Sequence, residues 1–135
     1  MPMIKNVSVG FLMLFFISCA GLQFSQQSLD DTQEVTDAAL TLLSKSNNPY
    51  TQHSTEVDNL KQQVQEIYRK EQLRKMNVAT ISMWSEVING KGNLFDLLEL
   101  WKSTGTLSPA MRVESSRKIE RLLNSIYDLE MHKKS

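Results

Sequence analysis

Ser54-Thr-Glu-Val-Asp-Asn-Leu-Lys-Gln-Gln-Val-Gln-Glu-Ile-Tyr-Arg-Lys70 decides the fold class of this chain. Val57, Leu60, Val64 and Ile67 recur three and four residues apart, so they line one side of an α-helix. Ser54 or Thr55 supplies the capping oxygen at its start. Glu66 with Lys70, and Glu71 with Lys75, are four-residue pairs in the favourable direction; each contributes a few tenths of a kcal/mol and marks the wet side. The same spacing continues through Glu71, Arg74, Val78, Ile81, Ser85 and Ile88, so two charges interrupt the seam. A shifted face through Leu73, Met76, Thr80, Met83, Trp84 and Val87 is the alternative, and neither suits a coiled coil of uniform register. Unbroken to Asn89 the helix would be about 35 residues and ~50 Å long, more than a small domain accommodates, which points to a kink near Asn77.

Upstream, Val35, Ala38, Ala39, Leu42 and Leu43 repeat at helical spacing, with Asp30 or Asp31 as the expected start and Asn47-Asn48-Pro49 as the stop. Downstream, Gly90-Lys91-Gly92-Asn93 reads as a loop before a short helix through Leu94, Phe95, Leu97, Leu98, Leu100 and Trp101, ended by Gly105. Ser108-Pro109 then pairs a cap with a proline at the first helical position. Met111, Ser115, Ile119, Leu122, Ile126 and Leu129, broadened by Leu123, form the stripe of that last helix. The expectation is an all-α domain over 30–135, a three- or four-helix bundle or helical hairpin array. Its apolar stripes supply the main folding drive at ~25 cal/mol per Å².

The amino-terminal region is of a different kind. Lys5 and the starting amine precede an apolar run from Val7 to Ile17, and Ser18, Cys19 and Ala20 follow. That run would cover only about 16 Å as a helix, against ~30 Å for a bilayer core, so it reads as an export signal and not as a membrane span. With Phe16-Ile17-Ser18-Cys19 the chain resembles a bacterial lipoprotein precursor, although Phe16 stands where that class usually has a branched aliphatic residue. The resemblance covers about the first 21 residues. It implies a signal peptide over 1–18, a diacylglyceryl thioether on Cys19 as the new amino terminus, and a tether over 19–29 carrying the domain. It also implies a location: Ala20 stands where an Asp would favour inner-membrane retention, which favours the periplasmic face of the outer membrane. Two other readings stay open, cleavage after Ala20 to release a soluble protein and an uncleaved amino-terminal anchor.

Composition narrows the function. The chain has 135 residues with 15 basic and 15 acidic side chains, and removal of 1–18 takes away only Lys5. A nearly neutral chain argues against a nucleic-acid partner, whose phosphates need a basic face. Cys19 is the only cysteine, so once it is lipidated no disulfide, cysteine nucleophile or thiolate metal site remains. His53 and Glu56 stand three apart without a second ligand pair, and Gly90-Lys91-Gly92-Asn93 lacks the glycine spacing and Lys-Ser/Thr ending of a phosphate loop. No serine sits in a glycine-flanked elbow.

No catalytic residue, metal or cofactor is therefore assigned. The expected role is a non-catalytic module that binds another envelope protein, with a carrier of a small apolar ligand as the alternative. Phe95, Leu98 and Trp101 are the candidate contact residues, since aromatic groups favour interface centres; core packing is the competing role for the same helix.

Overall fold

A computed structural model describes residues 23–134. Within them lie five α-helices and one short 3-10 turn, and no strand. The helices are α1 (Gln26–Ser44), α2 (Ser54–Gln72), α3 (Val78–Asn89), α4 (Leu94–Thr104) and α5 (Pro109–His132), with the 3-10 turn at Tyr50–Gln52. The all-α bundle expected from the spacing is the observed architecture. All four expected helices are present, the second of them broken into α2 and α3. No described helix is long and apolar enough to cross a membrane.

The break has a visible cause. Val57, Leu60, Val64 and Ile67 are buried along α2, and the next position of that stripe is a charge, Glu71. The chain leaves helical geometry after Gln72 and passes through Met76 at φ 53°, in the left-handed region that non-glycine residues seldom occupy. It resumes as α3 with Thr80, Trp84 and Val87 inward. A change of direction therefore replaces the long seam, and the inward face shifts with it. Leu73 and Met76 point outward, contrary to the alternative face read from the sequence.

The first helix starts earlier than Asp30. Ser25 caps α1 by accepting the Ser28 amide (3.1 Å), and Ser28, Leu29 and Thr32 are buried on the face that continues through Val35, Ala39, Leu42 and Leu43. Residues 26–29 thus belong to the helix and not to the tether. Two further boundaries follow the punctuation, Gly105 closing α4 at φ 85° and Ser108 accepting the Met111 amide ahead of Pro109, whereas α2 differs from the expected Ser54 or Thr55 cap: Ser54 is its first residue, His53 precedes it, and no side chain caps its start. Around the core, α1 packs on α5 and α2, and α3 bridges α2, α4 and α5. Trp84 and Trp101 are its largest enclosed side chains.

Candidate functional site

One end of the bundle collects the start of α1, the end of α2, the α2–α3 elbow and the end of α5. Six side chains there form a largely buried polar cluster. Arg74, on the elbow, donates from Nη1 to Glu71 Oε2 (2.8 Å) on α2 and to Glu130 Oε1 (2.6 Å) on α5. Nη1 also reaches Ser28 Oγ (2.8 Å) on α1, and Nη2 donates to the Gln23 carbonyl (2.8 Å). Ser28 in turn donates to Glu71 Oε1 (2.6 Å). Asn77 donates to Glu71 Oε2 (2.6 Å) and accepts from Lys133 Nζ (2.7 Å). Two carboxylates thus meet two cations, with hydroxyl and amide groups filling the remaining valences.

Glu71 is 3% exposed and Glu130 2%, so these partners replace the water that both side chains lose on burial. Burial alone would raise the Glu130 carboxyl, but the hydrogen bond and charge of Arg74, with Lys133 beside it, outweigh that and hold it below the ordinary carboxylate range. The hydrogen bond to Glu130 likewise pushes the Arg74 guanidinium further toward its charged form, against partial burial. With every carboxylate oxygen occupied, the cluster works as a clip joining four chain segments.

The outer surface of the same end is apolar. Leu73, Met76 and Val78 are 82%, 68% and 78% exposed, all within six residues of the elbow, and Met131 on the last turn of α5 is partly exposed too. A groove of about 380 Å³ runs between elbow and α5, lined by Met76, Asn77, Ala79, Thr80, Leu129 and Lys133 among others. Arg69, Lys70, Lys75 and Lys134 are exposed within four residues of Leu73, Met76 or Met131, and Lys134 Nζ lies 5.5 Å from the Phe24 ring centroid.

The residues named from the sequence fare differently. Cys19 lies outside the described residues. Leu98 and Trp101 are core residues, 1% and 0% exposed, so they form no contact surface. Trp101 donates Nε1–H to the Asn48 carbonyl (3.0 Å), meets Tyr50 edge-on at 5.5 Å and has the His53 ring at 5.7 Å. The turn after Asn47 folds over the indole and closes it off. Phe95 is half-buried, with Lys61 Nζ 5.7 Å from its ring centroid. His53 and Glu56 do meet, at 2.9 Å, and that hydrogen bond chiefly lowers the Glu56 carboxyl; Lys45 is on the other Glu56 oxygen.

The elbow cluster was not singled out from the sequence, yet its signal was present. Glu71 and Arg74 fall on the continuation of the Val57 stripe, and charges in a seam must find partners inside it. Comparison with models of protein families, with curated proteins and with solved structures finds no match to this chain.

Proposed function

We propose that this protein is a lipid-anchored component of the bacterial envelope whose helical domain serves as a non-catalytic interaction or accessory module for another envelope protein. The observation that carries the reading is Phe16-Ile17-Ser18-Cys19 at the end of a short apolar segment behind Lys5. A diacylglyceryl group on Cys19 brings two acyl chains, and two chains hold a protein stably where one does so only reversibly. Ala20 after the cysteine favours the periplasmic face of the outer membrane. The early start of α1 supports a short connection: Ser25 caps the helix only six residues after Cys19, so the domain would stand directly on the leaflet.

The module reading draws support from how the polar groups are spent. The buried ionic side chains at the elbow are engaged with one another and hold helices together. Mass spectrometry of the protein purified from bacterial membranes tests the anchor. The expected amino terminus is a lipid-modified Cys19, and Cys19→Ser loses fatty-acid label and accumulates as an uncleaved or soluble form. An unmodified thiol, or a chain starting at Gly21, overturns it. In-cell crosslinking tests the module: wild-type protein should capture one predominant envelope protein and Cys19→Ser should lose it. A chain crosslinked only to itself refutes the accessory role.

A further inference from the structure

We infer that the α2–α3 elbow is a membrane-contacting surface, in which Leu73, Met76 and Val78 enter the interfacial region of the leaflet that holds the lipid on Cys19 while the surrounding cations meet phospholipid head groups. The inference rests on the anchor reading above and adds to it an orientation for the whole domain.

Three observations converge. The first is position. Arg74 binds the Gln23 carbonyl, so the elbow lies one arginine side chain from the point where the described chain leads back toward Cys19. Three residues separate Gln23 from Cys19, and the four steps between them reach at most ~14 Å. A lipid on Cys19 therefore keeps this end of the bundle beside the membrane.

The second is the chemistry of the exposed side chains. Leu73 and Met76 on the connection and Val78 at the first position of α3 stand outward, and Met76 does so at a positive φ that Gly or Asn would adopt with less strain. Folding in water requires none of the three to be apolar. An interfacial lipid environment gives all three a place, as it does for other shallowly inserted elements.

The third is charge. Arg74 is matched by Glu71 and Lys133 by Glu130 inside the cluster, which leaves Arg69, Lys70, Lys75 and Lys134 exposed within four residues of Leu73, Met76 or Met131. The nearest acidic side chains by helix position, Glu66 on α2, Asp30 and Asp31 on α1 and Asp128 on α5, stand one to two turns back from the helix ends that meet here, and Asp30 and Asp31 accept hydrogen bonds from Gln26 and Gln27. An apolar tip with exposed lysine and arginine within four residues of its side chains matches an anionic phospholipid surface.

The test uses the full, processed protein reconstituted into phosphatidylethanolamine–phosphatidylglycerol vesicles. Lipidation occupies the native thiol, so Leu73→Cys and Val78→Cys each offer one site for an environment-sensitive fluorophore, with Val113→Cys at the opposite end of α5 as the reference. Labels at 73 and 78 are expected to shift to the blue and lose quenching by iodide on vesicles, while the label at 113 stays aqueous. Replacing Lys70 and Lys75 by Glu should weaken the shift.

Labels at 73 and 78 that remain as quenchable as the one at 113, on protein whose mass shows the lipid, overturn the inference and leave the anchor standing. A mass without lipid overturns the anchor and, with it, the inference that depends on that anchor. Shielding without vesicles that grows with protein concentration assigns the elbow to a second copy, and shielding only in native membranes assigns it to a protein. Either result overturns it.

Discussion

Arg74 is the residue on which the elbow end of the bundle depends, because among the described residues it is the one cation within hydrogen-bonding distance of both Glu71 and Glu130. Arg74→Met leaves two buried carboxylates facing each other, and losing one partner of such a group costs about 3 kcal/mol. For a domain of this size that lowers Tm by about 12 °C, a shift that calorimetry will register. A change under ~1 kcal/mol would show that the carboxylates protonate or rehydrate without penalty. Glu130 is the buried carboxylate through which acid should act on this cluster. Its folded carboxyl ionises below the ordinary range, so its pairing contributes fully above the unfolded value of about 4.3 and is lost as pH falls through the lower folded value. Urea midpoints should therefore hold level above about pH 5 and drop on further acidification. Glu130→Gln should flatten that drop, and a variant with the wild-type slope would place the acid sensitivity elsewhere.

At the scale of elements, what could be read in advance follows from how far a local pattern determines its surroundings. Ser108-Pro109, Gly105 and the apolar spacing of α2 act within a turn or two of themselves, and each element lies where they indicate. The start of α1 was hidden because Ser28 and Thr32 continue its buried face with small hydroxyl residues, which resemble a tether in composition. Leu98 and Trp101 had the right chemistry for a contact surface, but the Asn47–His53 segment that covers Trp101 is brought over it by tertiary folding alone. The elbow was legible as a kink near Asn77; its exposed apolar tip was not, since the outward direction depends on one backbone angle at Met76. Asn tolerates that angle better than Met, so Met76→Asn should raise stability by ~0.5–1 kcal/mol while removing apolar surface. Equilibrium denaturation showing a loss instead would mean that the Met76 side chain packs along the groove it lines.

For the whole molecule, the clip makes the first described residues part of the folded body. Deleting residues 23–29 removes the Ser25 cap, buried Leu29 and the Ser28 hydroxyl that bridges Glu71 and Arg74, so the loss should match or exceed the ~3 kcal/mol of Arg74→Met. A truncated chain as stable as the full one would restore those residues to a loose connection.

Both indoles, Trp84 and Trp101, are shut away from solvent. Ultraviolet emission from the native chain should therefore be short in wavelength and deaf to acrylamide, turning red only when the interior opens. That makes the intrinsic signal a clean reporter of unfolding, with no contribution from events on the outside, so extrinsic dyes and intrinsic light can be read in one cuvette as independent channels.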